Sequence, residues 1–118
     1  MIKVMRVYER ADITDGTRIL VDRAWPRGIR RNTTNVDIWL KNIAPTDELR
    51  KWFSHDPKKW MAFKSKYFKE LSDSKSIVDL LKIIRATDTV TLVYATQDEA
   101  HNGAVALHEF LKRKFKIE

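Results

Sequence analysis

The sequence predicts an α/β fold: a small, mostly parallel sheet of about three strands flanked by about five helices. Three observations carry this. The chain orders itself as strand, strand, helices, strand, helix. The runs 17–21 and 89–95 are rich in β-branched and apolar residues. The stretch between them shows helical spacing, so that strand pair should be parallel with a right-handed crossover.

The elements follow in order. Residues 3–8, Lys3-Val4-Met5-Arg6-Val7-Tyr8, alternate weakly and read as a first strand. Asp15-Gly16 marks a turn. Residues 17–21 form the second strand, stopped by Pro26 and Gly28. The link between these strands is short for a crossover, so a hairpin and a parallel arrangement both remain open. Thr33 or Thr34 is expected to cap a short helix running through Ile43, with Ile38 and Trp39 inward. Ala44-Pro45 ends it. Thr46 caps the next helix, with Asp47 and Glu48 in its first turn and Leu49, Trp52 and Phe53 at helical spacing. Asp56-Pro57 is a helix start, cap followed by first position, and Trp60, Phe63, Tyr67 and Leu71 form its inner face. Ser72, Asp73 or Ser74 caps a further helix facing inward through Ile77, Leu80, Leu81 and Ile84. Residues 89–95 form the third strand. Thr96 and Glu99 match a capping box. The last helix then presents Ala104, Leu107, Leu111 and Phe115.

Composition narrows the function. At 118 residues the chain is expected to form one domain, 1–118. It has no cysteine, which excludes disulfides, thiolate chemistry and Cys-ligated metal sites. A reducing cytoplasm is the expected location, because the charged opening Met1-Ile2-Lys3-Val4-Met5-Arg6 does not read as a leader. No apolar run approaches a membrane span. Only three glycines occur, with no Gly-x-Gly-x-x-Gly run and no P-loop, so a nucleotide cradle of either kind is not expected. The net charge of +7 points to an anionic partner. Much of the excess lies on two lysine-rich helical segments, Lys58 to Lys69 and Lys112 to Lys116. Nucleic acid or an acidic protein is one class of partner for those faces, and an ordinary solvated surface is the plainer account.

The stretch that folding alone does not ask for is Asp22-Arg23-Ala24-Trp25-Pro26-Arg27-Gly28. In a parallel sheet the functional crevice lies beyond the carboxyl ends of the strands. Two loops satisfy that rule, 22–28 and 96–102, and they are expected to share one edge. The acid/base candidates there are Asp22, His55, Asp98 and His101. Arg23, Arg27 and Arg50 are candidates for holding an anionic group. Trp25, Tyr94 and Asn102 are candidates for lining it. Asp98 and His101, three apart, would share a helix face, with the helix dipole favouring neutral imidazole. A metal would need a third firm ligand, and no metal or cofactor is assigned. Each residue also has a plainer role. Asp22 pairs with Arg23, Arg27 or a backbone N–H, Ser54-His55-Asp56-Pro57 is a turn, Trp25 packs, and His108 is structural.

Several separated motifs now resemble a family. They are the 22–28 stretch, Trp39-Leu40-Lys41 with Ala44-Pro45, and Glu48-Leu49-Arg50-Lys51-Trp52-Phe53-Ser54-His55-Asp56-Pro57. Leu92-Val93-Tyr94-Ala95-Thr96 and Asp98-Glu99-Ala100-His101-Asn102 complete the set. In this order, from Asp15 to about Leu111, they resemble the YeaO-like proteins, a branch of the domain-of-unknown-function 488 family. The resemblance implies a small bacterial or archaeal cytoplasmic α/β protein and no particular activity. Leucine is usual in that family where this chain has Ala24. The expected function is a small-ligand site for an anionic molecule, with enzymatic action an open question. The alternatives are a nucleic-acid or acidic-protein binding module using the lysine faces, and a structural or regulatory protein whose motif residues form an internal polar network.

Overall fold

A computed structural model describes all 118 residues. Four strands, β1 (Ile2–Arg6), β2 (Thr17–Leu20), β3 (Ile38–Trp39) and β4 (Val90–Tyr94), form one sheet in the order β1-β4-β2-β3. Every pairing is parallel, with Ile2 opposite Val90, Thr17 opposite Val90 and Ile19 opposite Ile38. Four α-helices complete the fold: α1 (Asp47–Phe53), α2 (Trp60–Ser72), α3 (Ser76–Ala86) and α4 (Gly103–Phe115). No helix is long and apolar enough to cross a membrane.

The predicted class is correct, and β4 explains why it was legible. All five of its residues are buried, as a central parallel strand requires. Strand alternation gives the sheet two unlike faces. On one, Ile2, Ile19, Val21, Val90, Leu92 and Tyr94 meet Leu49, Phe63, Tyr67, Leu80, Leu107 and Leu111 from the helices. Each such fully buried aliphatic side chain contributes about 1.5–3 kcal/mol. On the other, Val7, Leu20 and Val93 form a small cluster packed against Trp25, Ile29 and Val36 from loops and Trp39 of β3.

The same second face holds a buried ionic knot. Arg18 is 1% exposed. Its guanidinium donates to Asp15 Oδ2 at 2.6 Å, to the Asn35 carbonyl at 2.7 Å and to the Glu9 carbonyl at 3.1 Å. Lys3 Nζ adds a bond to Asp15 Oδ1 at 2.8 Å. These bonds, that of Lys3 first, hold the Asp15 carboxyl down at about 2 despite its burial.

The helix starts at Thr46 and Asp56 are as expected. Thr46 Oγ1 accepts from the Leu49 N–H, and Asp56 accepts from the Lys58 N–H. A single 3-10 turn, Pro57–Lys59, precedes α2. At α3 the Ser74 hydroxyl accepts from the Ser76 N–H.

Two expectations are corrected, and one open alternative is decided. The helix from Thr33 or Thr34 to Ile43 does not form. Thr33 Oγ1 spends its acceptor on the Asn35 N–H in a local turn, which competes with helix formation. Asp37 then accepts from the Arg18 N–H at 2.8 Å, and Ile38-Trp39 pair with Ile19-Leu20 as a fourth strand. Only a 3-10 turn, Lys41–Ile43, follows. The Thr96–Glu99 capping box does not form either. Asp98 turns the chain instead, accepting from the Ala100 and His101 N–H groups, and Asn102 caps α4 by accepting from the Val105 N–H. Of the two arrangements left open for β1 and β2 the parallel one forms, with β4 between them. Residues 7–16 cross between them with only the 3-10 turn Ile13–Asp15. Gly16, at φ 64°, closes that crossing directly against the Thr89 carbonyl.

Candidate functional site

The carboxyl ends of the strands open into one cavity of about 590 Å³. The loop after β2 brings Asp22, Arg23, Trp25 and Arg27 to it. The loop after β4 brings Thr96, His101 and Asn102, and α1 with its following turn brings Arg50, Phe53 and His55. Both expected loops therefore lie at one sheet edge and face a common cleft. Of the ten residues singled out in the sequence, eight line it, and Tyr94 and Asp98 do not.

Asp22 sits where the sheet ends. In a regular parallel ladder the Ala95 N–H would go to the carbonyl of Val21, which already donates its own N–H to Val93. Asp22 Oδ2 takes that place at 2.9 Å. The Asp22 carbonyl accepts from Trp39 Nε1 at 2.7 Å, so backbone and side chain are both fixed. No cation pairs with this carboxyl. Burial pushes its pKa up to about 6, against the pull of the single Ala95 bond.

The arginines divide. Arg23 is not part of a free fork: its Nε donates to the Pro45 carbonyl at 3.2 Å and its Nη2 to the Ala44 carbonyl at 3.1 Å. It ties the loop after β2 to the segment before α1. Arg27 is exposed, and its side chain makes no hydrogen bond or ion pair. Arg50 has only a loose contact with Asp47, 3.5 Å apart between two largely exposed side chains.

His101 is held from behind. Asp98 Oδ2 lies 3.0 Å from His101 Nδ1, leaving Nε2 as the nitrogen with a free edge. The contact is made within the turn before the α4 cap, not along a helix face as the spacing implied. Bonds from the Ala100 N–H, and next from His101, hold the Asp98 carboxyl below its ordinary range. Trp60 abuts the imidazole edge-on at 5.3 Å. His55 follows Ser54 in a tight corner where both residues are left-handed, at φ 48° and 56°. Two consecutive non-glycine residues there cost roughly 1 kcal/mol or more each.

The lining candidates also divide. Trp25 packs as well as lines: Nε1 donates to the Ile29 carbonyl, Trp39 meets it edge-on at 5.4 Å, and Arg31 lies over its ring. Tyr94 belongs to the helix-side core and is 3% exposed, so it is not a wall. Asn102 caps α4, which turns the amino end of that 13-residue helix toward the cleft through Asn102 and Gly103. Sequence reasoning missed Phe53 and Phe63, whose stacked rings 4.4 Å apart also line the cavity. Their helical spacing marked them only as core. No group of three or more His, Cys, Asp or Glu side chains is arranged to hold a metal ion.

A model of the inactive DUF488-N3 subclade matches residues 1–118. The chain belongs to that family. An uncharacterised protein of Mycobacterium tuberculosis (strain H37Rv) is 44% identical over 110 residues, covering 93% of this chain and 92% of the relative. The uncharacterised protein YeaO of Escherichia coli is 37% identical over 111 residues, covering 94% and 96%. No solved structure matches the chain. The resemblance to YeaO-like proteins is therefore correct across nearly the whole length.

Asp22 gives a pH-dependent prediction. Its folded pKa of about 6 lies above the ordinary 3.8. Between those values the folded state holds a proton that the unfolded state has released, so stability falls as pH rises from about 4 to beyond 6. Asp22→Asn keeps an acceptor for the Ala95 N–H and removes the buried charge. It is expected to raise stability by roughly 2 kcal/mol at pH 7.5 and to change little at pH 4. Urea unfolding at the two pH values checks this, and equal effects at both would refute it.

Proposed function

We propose that the cleft binds a small anionic molecule, with Arg27, Arg50 and the amino end of α4 as its anion-holding elements. One observation carries the reading. These positive elements surround a half-buried carboxyl, Asp22, that none of them neutralises. An internal network would have spent the arginines on Asp22; a ligand site leaves them available. The apolar part of the ligand would lie against Phe53 and Phe63. The matching family's description as inactive favours binding over turnover.

Asp98–His101 favours a second reading, acid–base action on the bound molecule. Asp98 fixes His101 Nδ1, Nε2 is left to exchange a proton, and Asp22 titrates close to neutrality. Asp22 and His101 line the same cavity and would supply the two opposite proton-transfer roles.

Sulfate is the test, because its charge is constant across the useful pH range. Calorimetric titration should show binding that is tighter at pH 5.5 than at pH 7.5. Protonating Asp22, whose pKa burial pushes up to about 6, removes a repelling charge. Asp22→Asn should flatten that dependence. Arg27→Ala should weaken binding about tenfold or more with little change in stability, and Arg27→Lys should also weaken it, since an ammonium lacks the planar fork. Arg23→Ala should instead lower the melting temperature whether or not sulfate is present. No heat and no melting shift with sulfate, phosphate or citrate would sink the anion site.

A further inference from the structure

Beside the cleft, and not lining it, α1 and α2 carry an unusual surface. Between Lys51 and Lys69 the chain has six lysines and one acid, Asp56. Asp56 is engaged as the cap over Lys58. Among the six lysines only Lys64 forms an ion pair, with Glu109 at 2.9 Å. Lys66 and Lys69, three apart, share one face of α2, and Lys58 and Lys59 stand in the 3-10 turn that leads into it.

Folding does not favour this arrangement. Lys58 and Lys59 stand at the amino end of α2, where the helix dipole prefers anions. The acid that could pair with Lys66 four residues on is Glu70, and its carboxylate is spent on the Thr46 N–H and hydroxyl at 3.0 and 2.7 Å. The lysines therefore repel one another without relief from the chain itself. Among them stands an aromatic ring. Trp52 is 39% exposed, and the ammonium groups of Lys59 and Lys66 each lie 5.1 Å from its ring centre. Lys59 Nζ also donates to the Trp52 carbonyl at 2.8 Å, which anchors the basic turn to the aromatic residue.

We infer that this face binds single-stranded nucleic acid, with Trp52 as a stacking platform and Lys58, Lys59, Lys66 and Lys69 as phosphate contacts. A row of cations beside an exposed ring matches the chemistry of an unpaired strand, whose bases stack while its phosphates track the charge. The flexible lysines over the ring exchange it for phosphate oxygens, and a base takes their place. A duplex hides its base faces and has no use for the ring. An acidic peptide would use the lysines without needing Trp52.

The inference is independent of the anion cleft. The test uses the full chain and a fluorescein-labelled twenty-residue oligothymidylate, followed by anisotropy at about 50 and 200 mM salt. Binding should weaken steeply with salt. The variant Lys58→Gln, Lys59→Gln, Lys66→Gln and Lys69→Gln should bind at least about thirtyfold more weakly and lose about three units of logarithmic salt slope. Its melting temperature should stay close to that of the original chain, because none of the four side chains is buried. Trp52→Leu should cost roughly tenfold in affinity. Arg27→Ala should leave oligonucleotide binding unchanged, so failure here is distinguishable from failure of the sulfate site. The inference is overturned by no binding at the lower salt or by equal binding of a matched duplex or a polyglutamate peptide. It is also overturned if either the quadruple variant or Trp52→Leu binds like the original chain.

Discussion

Arg18→Met is expected to lower stability by about 3–5 kcal/mol. Against a typical total of about 5–15 kcal/mol, that is enough to unfold a large share of the molecules. The methionine fills part of the arginine's volume. It leaves Asp15, 1% exposed, with Lys3 as its only remaining cation, and it strands the Asn35 carbonyl. The loss depends on pH. Asp15 has its pKa depressed to about 2, so its stabilising contribution is present above the ordinary 3.8 and disappears as pH falls through 2. The penalty in Arg18→Met should therefore be largest near neutrality and shrink in acid, where a protonated Asp15 no longer needs the guanidinium. Urea midpoints at pH 7 and pH 3 measure both quantities, and a penalty under 1 kcal/mol would show the knot to be dispensable.

Gly16→Ala is expected to cost roughly 3 kcal/mol, although it adds one methyl group at the surface. Two effects combine. The backbone at φ 64° is one that an L side chain resists, worth about 1–2 kcal/mol. The new Cβ would also run into the Thr89 carbonyl oxygen, which itself accepts from the Thr17 N–H at 3.1 Å and so cannot move without loosening the start of β2. Gly28 is the internal control. It too has positive φ, at 79°, but nothing lies within 4 Å of the position a Cβ would take. Gly28→Ala should cost only about 1 kcal/mol. Similar midpoints for the two variants in urea would show that the close approach at Thr89 is unimportant.

Much of the fold was legible because its signals were local. Thr46, Asp56 and Pro57 announce helix starts by their own chemistry, and the spacing of Phe63, Tyr67 and Leu71 declares a buried face. The β-branched run ending at Tyr94 could only be an interior strand. Ile38-Trp39 defeated the reading because two residues carry no period. Whether they extend a helix or join a sheet depends on Ile19 and Leu20, which lie elsewhere in the sequence. Thr96 and Glu99 had the right spacing for a cap, but Asp98 claimed the neighbouring N–H groups first. The convergence of Asp22, Arg27 and His101 followed from the rule that parallel strands open their crevice at one end, whereas His55, in the turn after α1, lies outside that rule. The partners of Asp22 and Arg23 did not follow, since a backbone N–H and two carbonyls leave no mark on residue identity. Arg18 was invisible for the same reason: inside a strand run it reads as an exposed side chain, and only the crossover through Asp15 buries it.

The strand order has a consequence for how this chain is made. β4 lies between β1 and β2, yet it is the last strand in the sequence. While the polypeptide is being synthesised, β1 has nothing to pair with until Val90–Tyr94 has emerged. The only earlier contact within the sheet is the two-residue pairing of β2 with β3. Such high contact order places nearly all the loop-closure cost before any reward from the sheet. The helices α1 to α3 can gather early, but the sheet assembles at once and late, so most of the nascent chain waits on a single five-residue segment.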